Sequence, residues 1–227
     1  MSAVTDLETL AAAVAAGTTS FNANIDLLRR SVDPATARPA AVLILFGVLD
    51  DRPADFSADA VPADVDVLLI ERAATLNDHP GQVAFPGGSV DAEDASAVDA
   101  ALREAREETG LDPAGVRVLG SLPQIGLPFS NFLVTPVLGW WDKPTPVDVV
   151  DYGESAAVFR VPVADLINPE NRRTAVLPGQ GRSTGTPAFL VNDVLVWGFT
   201  GIILSSVLDE LGWAQPWDET REIVPAL

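Results

Sequence analysis

The stretch from Phe85 to Leu111, FPGGSVDAEDASAVDAALREAREETGL, places the tightest restriction on how this chain can fold. Phe-Pro followed by Gly-Gly is a turn whose backbone can be approached closely, because two consecutive residues lack side chains. The residues after the turn read as one helix. Asp94 or Ser96 can cap its start, and acidic residues in the first turn complement the helix dipole. Gly110, then Leu111 and Pro113, make a Schellman-type stop. Between these ends Val98, Ala101, Leu102 and Ala105 supply a packing side. Glu104, Glu107 and Glu108 share the remaining face, about 100° wide.

Crowding carboxylates in this way is unfavourable. Like charges three or four residues apart cost an isolated helix about 0.2–0.5 kcal/mol per pair. Arg103, four residues before Glu107, and Arg106 relieve part of that repulsion. Taken alone, the three glutamates fit a solvent-facing acidic helix laced with salt bridges. Taken with the Gly87-Gly88 turn, they also fit a site for a hard divalent cation, with the turn close enough to add a backbone carbonyl.

Composition narrows the chemistry. The chain has 227 residues, 48% of them hydrophobic, enough for a substantial core and for one large domain or one domain with an appendage. It has no cysteine and one histidine, His79, which stands beside a proline. Disulfides, thiol nucleophiles, Cys/His zinc sites and iron–sulfur clusters are therefore excluded, and any resident metal is expected to sit on oxygen, which favours Mg²⁺ or Mn²⁺. A formal charge of −18, from 32 acidic and 14 basic residues, disfavours nucleic acid and anionic lipid as partners. An anionic small substrate would need local cations to offset that field.

Residues 1–31 read as helical, with Leu7, Leu10 and Val14, then Ile25, Leu27 and Leu28, as apolar contacts and a break near Gly17. The expected division is an N-terminal helical appendage over 1–37 and a main domain over 38–227. From Ala41 onward, strand-like runs alternate with Gly, Pro and Asp breakers: AVLILFGVL, VDVLLIERA, VRVLGSLPQI, NFLVTPVLGWW, AAVFRVPV and PAFLVNDVLVWGF. A closing helix is expected at about Thr200–Leu211. Many strands with few helices indicate a mixed α/β sandwich. The N-terminus lacks the basic start of a targeting segment, and VLVWGFTGIILSSVL is too short to span a bilayer. A cytoplasmic protein is expected.

The run R-E-A-R-E-E-T-G-L, Arg103 to Leu111, opened upstream by Gly88, resembles the signature of the Nudix hydrolase family. Two departures stand out: Asp94 replaces the usual loop glutamate, and eight residues separate it from Arg103 where the family has seven. The resemblance implies an α/β/α sandwich with a mixed β-sheet and the glutamate helix packed beside it. LLIERAATLNDHPGQVAFPGG, Leu68 to Gly88, is similar to the branch of that family that hydrolyses coenzyme A and its derivatives, matching at Leu68, Leu69, Arg72, Ala73, Gly81 and Phe85–Gly88. Ile70 stands where that branch has Thr, and Asn77 where it has Arg. NFLVTPVLGW and LVWGFTGIILSSVL look like later segments of the same branch, so the resemblance spans about residues 38–212.

The resemblance implies metal-dependent hydrolysis of a diphosphate linkage in a nucleotide derivative, with coenzyme A or acyl-coenzyme A as the leading candidate. The metal role falls on Glu104, Glu107 and Glu108, with Glu104 and Glu108 as the leading pair and Gly88 as a backbone ligand. Arg103 is expected to orient a glutamate through a charged hydrogen bond. Glu107 is the candidate general base, with Asp151 or Glu154 in reserve. Arg72, Gln82 and Gly87 are candidate substrate contacts, although Arg72 fits solvent exposure equally well and Gln82 can instead tie down its loop. His79 and the closing apolar helix read as structural. Alternatives kept open are a pyrophosphatase for ADP-ribose, NADH or another dinucleotide, and a non-catalytic nucleotide-binding regulator. Homodimerisation is also kept open.

Overall fold

The computed structural model describes residues 2–19, 32–50, 52–76, 80–128, 130–177 and 185–225. Ile25, Leu27, Leu28, Asn77 and His79 lie outside the described residues.

Helix α1 (Ala3–Ala15) starts at Ser2, whose side chain accepts the Thr5 N–H. Strands β1 (Arg38–Gly47), β2 (Asp66–Arg72), β3 (Val83–Ala84) and β4 (Gly87–Ser89) precede helix α2 (Ala97–Thr109). Strands β5 (Val116–Ser121), β6 (Ile125–Leu127), β7 (Phe132–Trp141) and β8 (Ser155–Pro162) come next, then the short α3 (Val163–Ile167). A second group comprises β9 (Arg172–Ala175), β10 (Thr186–Val191), β11 (Val194–Val196), α4 (Gly198–Glu210) and β12 (Glu222–Ile223).

The larger sheet runs β3-β2-β1-β7-β5, with β4 added to β1, β6 to β7 and β8 to β2. Strands β1 and β7 are parallel, in register from Arg38 opposite Phe132 to Phe46 opposite Trp140. Their neighbours are antiparallel, so the sheet is mixed. Alternation along β1 divides the core. Leu43 and Leu45 join Ala101 and Ala105 of α2, together with Val137 and Trp141. Ile44 and Phe46 point the other way, into a cluster with Leu7 and Leu10 of α1 and Leu204, Val207 and Leu208 of α4. Each such aliphatic side chain contributes about 1.5–3 kcal/mol on burial. Helices thus cover both faces of a mixed sheet, the α/β/α sandwich that the sequence reading expects. Among the described residues no helix is long and apolar enough to cross a membrane.

The strand-like runs of the sequence appear with finer breaks. VRVLGSLPQI divides into β5 and β6, and Pro136 of β7 falls opposite the gap between them, its carbonyl accepting the Leu122 N–H at 2.8 Å. A proline is tolerated where ladder pairing is interrupted. The smaller sheet, β11-β10-β9-β12, is closed by a two-residue hairpin at Asn192–Asp193, both with positive φ (48° and 66°).

Candidate active site

The site grows from the junction of β4 and α2. Gly87 pairs with Val42 and Gly88 with Ala41. A Cβ on Gly87 would sit 2.3 Å from the Ala41 carbonyl oxygen and 2.6 Å from the Val42 Cα, so only glycine allows β4 to lie against β1 here. Helix α2 packs alongside, its buried face made of Ala100, Ala101 and Ala105 with Glu108 and Thr109 at its end. Val98 and Leu102, expected on that face, are only partly buried, while Ala100 is fully enclosed. Small residues on both partners bring the next turn of α2 over the glycines.

Two glutamates then lean onto the turn. Glu108, 5% exposed, accepts the Gly87 N–H at 2.8 Å. Burial pushes its carboxyl up to about 8; the Gly87 hydrogen bond and Arg72 oppose the rise, while Glu104 and Glu154 add to it. The Glu104 carboxylate lies against Gly88, where a Cβ would come within 2.6 Å of it. Burial raises Glu104 too, with Arg103 opposing. These are the conditions under which a carboxylate gains most from a cation: partly desolvated and crowded by another negative charge.

Arg103 organises the remaining acids. Its Nε and Nη2 donate to the two carboxylate oxygens of Asp94 at 3.0 and 2.9 Å, a bidentate fork. Its Nη1 donates to Glu104 at 2.9 Å and Glu107 at 3.0 Å, and Nη2 also donates to the Ser89 carbonyl at 3.0 Å. Asp91 stands at 3.4 Å. The guanidinium holds the Asp94 carboxyl below the usual range, helped by the Asp91 N–H. Of the two candidate caps, Ser96 is the one that holds the helix start, accepting the Asp99 N–H. Asp94 instead anchors Arg103, a pairing that the altered spacing in the sequence did not reveal. The side chain of Glu107 is about half exposed (49%) and bound to Arg103.

Across from α2, the end of β2 brings the other candidates together. The Arg72 N–H donates to the Gln82 carbonyl at 3.0 Å, and the Gly81 N–H to the Arg72 carbonyl at 3.1 Å. The loop before β8 is fastened on two sides. Its Val150 N–H donates to the Glu108 carbonyl at 3.3 Å, and its Glu154 carbonyl accepts the Ala73 N–H at 2.9 Å. Glu154 therefore belongs to the neighbourhood of Glu108 and Arg72, as does the adjoining Asp151, whose carbonyl accepts the Glu154 N–H at 3.1 Å.

Among the described residues no three histidine or acidic side chains converge as a ready cage for a metal ion. Glu104 and Glu108 offer two carboxylates, and the chemistry of that donor set suits Mg²⁺ or Mn²⁺, which take one or two carboxylates and complete their shell with water and phosphate oxygens. A separate cavity of about 690 Å³, lined by Pro169, Glu170, Pro216, Trp217, Asp218 and Arg221, shares no residue with this cluster. Arg221, the cation of that lining, is already paired with Glu170 at 3.0 Å. The glutamate site, richer in unbalanced charge, is where chemistry is expected.

Residues 54–176 match the model of the NUDIX domain family, a span that includes β4, α2 and the loop before β8. Over 146 residues the chain is 38% identical to an uncharacterized Nudix hydrolase, NudL, of Cronobacter sakazakii, covering 64% of this chain and 75% of the relative. It is 34% identical over 197 residues to the NudL of an Enterobacter species, covering 85% and 93% of the two chains. Among solved structures, a Nudix hydrolase from M. smegmatis, RenU, is similar at 25% identity and a TM-score of 0.41, over 56% of this chain and 71% of its own. A MutT Nudix hydrolase from Burkholderia pseudomallei is similar at 17% identity and a TM-score of 0.42, over 75% and 97%.

Proposed function

The chain belongs to the NUDIX domain family, hydrolases of pyrophosphate bonds, and from that premise we propose that it cleaves the diphosphate of coenzyme A or acyl-coenzyme A with Mg²⁺ or Mn²⁺. The observation that carries this reading is the pairing of Glu104 and Glu108 one helical turn apart, both folded onto the Gly87-Gly88 turn. Glu104 and Glu108 would hold the cation. Glu107, kept on the same face by Arg103, and the Gly88 backbone are the further contributors. When bound, a divalent ion supplies charge neutralisation on the two phosphates and an activated water.

The protein's own groups do the positioning. Arg103 fixes Glu104 and Glu107 through one nitrogen while Asp94 fixes Arg103, so the carboxylates keep their places without substrate. Arg72, whose charge already acts on Glu108, is the cation proposed for a phosphate oxygen, with Gln82 bonded to its backbone and the Gly87 backbone bonded to Glu108 as further contacts. Glu107 is the base proposed to take the proton of the attacking water, with Asp151 or Glu154 of the loop before β8 in reserve. Coenzyme A is favoured by the matches from Leu68 to Gly88, above all Arg72, Ala73, Gly81 and the Phe-Pro-Gly-Gly turn. A net charge of −18 disfavours nucleic acid and fits a cytoplasmic setting, while an anionic small substrate needs the local cation that Arg72 supplies against that field.

The test is hydrolysis of coenzyme A, acetyl-coenzyme A, ADP-ribose and NADH with Mg²⁺ or Mn²⁺, with products identified by mass. Coenzyme A should yield 4′-phosphopantetheine and adenosine 3′,5′-bisphosphate. Faster turnover of ADP-ribose or NADH would reassign the substrate within the family. Binding without turnover under either metal would make the chain a non-catalytic nucleotide binder.

A further inference from the structure

Resting on that reading of the site, we infer that Tyr152 is a specificity-determining residue, an aromatic platform on which the nucleobase of the substrate stacks. Four large apolar side chains stand exposed among the described residues, and two of them, Val150 (58%) and Tyr152 (71%), lie within three positions of each other on the loop before β8. Tyr152 is the chain's one tyrosine. An isolated exposed aromatic is ordinary. This one is exposed on a segment bound directly to the catalytic elements.

The attachment is extensive. The Asp148 N–H donates to the Thr109 carbonyl at 3.1 Å and the Val150 N–H to the Glu108 carbonyl at 3.3 Å, so the loop continues from the end of α2. Gly110, which ends α2 with φ +71°, would place a Cβ 3.6 Å from the Val150 side chain. On the far side the Glu154 carbonyl accepts the N–H of Ala73, the neighbour of Arg72. Tyr152 therefore sits between the two anchors, one on the glutamate helix and one on the strand that carries Arg72.

The tip itself is ordered before any ligand arrives. The Asp151 carboxylate accepts the Gly153 N–H at 2.7 Å, and the Asp151 carbonyl accepts the N–H groups of Glu154 and Ser155 at 3.1 and 3.0 Å. A ring held out on a fixed turn loses little freedom on stacking, which favours its use as a recognition surface. Stacking also suits the electrostatics. A neutral base carries no charge to pair, and a π-face binds it by stacking, indifferent to the field of a chain with 32 acidic and 14 basic residues. Phosphate chemistry and base recognition thus fall on adjacent parts of one structure.

Steady-state hydrolysis by the full chain tests this, using the best substrate of the panel and its abasic ribosyl diphosphate counterpart. In Tyr152→Ala and Tyr152→Ser, KM for the base-carrying substrate should rise about tenfold, as expected for loss of one stacked base, with kcat within about twofold. Tyr152→Phe and Tyr152→Trp should keep the wild-type KM. The abasic substrate should show the same KM in all five proteins. Unchanged KM in Tyr152→Ala, or an equal rise for the abasic substrate, overturns the platform while leaving the hydrolase reading intact. Failure of the wild type to cleave any nucleoside diphosphate overturns both.

Discussion

The carboxylate of Glu108 accepts the backbone N–H of Gly87 at 2.8 Å across 21 residues of sequence, and this bond joins the glutamate helix to the Gly-Gly turn. The neighbouring glycines should respond differently to the same substitution. In Gly88→Ala the atoms nearest the new Cβ are those of the Glu104 carboxylate, at 2.6 Å, the far end of a flexible side chain. Glu104 is displaced and the fold survives: metal-dependent activity falls by at least tenfold while the melting temperature stays within a few degrees. In Gly87→Ala the Cβ meets backbone at 2.3 and 2.6 Å. Strand β4 must move off β1, at about 1–3 kcal/mol or more in urea denaturation. Equal losses of stability in the two variants would contradict this assignment.

Glu108 gives the folded protein a pH dependence opposite to that of most paired carboxylates. Its folded pKa is raised to about 8 from 4.5, by burial first, so between those values the folded state binds more protons than the unfolded one. Stability without metal should therefore fall as pH rises through that window. A divalent cation competes with the proton, so stabilisation by Mg²⁺ or Mn²⁺ should grow from pH 5 to pH 8. Thermal midpoints of wild type and Glu108→Gln, with and without metal, check both statements. The variant should be folded, at least 100-fold less active, less steep in pH and nearly indifferent to the cation. A wild-type slope no steeper than that of Glu108→Gln would remove the buried proton from the account.

Arg103 joins Asp94, Glu104 and Glu107 through a planar fork. Lysine keeps the charge but cannot make the bidentate contact to Asp94 while also reaching two glutamates. Arg103→Lys and Asp94→Asn should each weaken the apparent affinity for Mg²⁺ about 10- to 100-fold, in the range seen when groups behind a metal ligand are lost. Titrating activity against Mg²⁺ measures this. Loss of kcat at saturating metal, with unchanged affinity, would move Arg103 from positioning carboxylates to contacting substrate.

The parts of the fold legible in the sequence are those where local pattern and tertiary role coincide. Leu43 to Phe46 read as a strand because both faces are buried, and α2 reads as a helix because Ser96 and Gly110 terminate it in their usual ways. Glu104 and Glu108 are identifiable as a pair because four-residue spacing puts both on one side of a helix. Other features have no local signal. Strands β4, β9 and β12 are two to four residues long and exist through their partners. The Asp94–Arg103 fork depends on how an irregular loop folds back, and the approach of residues 148–154 to Glu108 on backbone bonds that any sequence makes. Small buried alanines also obscure the helix face, since Ala100 counts for less than Val98 in hydrophobicity yet lies deeper.

Helix α1 is fastened to the face of the sheet opposite α2. Leu7 is fully buried in the cluster that contains Phe46 and Leu208, the Trp213 Nε1–H donates to the Asp6 carboxylate at 3.2 Å, and the edge of the Trp213 ring meets Phe46 with centroids 6.3 Å apart. Arg117 of β5 adds an ion pair to Glu8 at 2.6 Å, exposed and so worth little by itself. If burial carries the attachment, Leu7→Ala should cost about 2–5 kcal/mol of unfolding free energy, whereas Glu8→Gln should cost less than about 1 kcal/mol. Both should retain the kcat of the folded fraction, because neither residue touches the α2 side of the sheet. Denaturant melts with parallel activity assays separate these outcomes. A Leu7→Ala variant as stable as wild type would mean that α1 rests on the surface without contributing to the core, and a lowered kcat at full folding would mean that the helix shapes the site through β1.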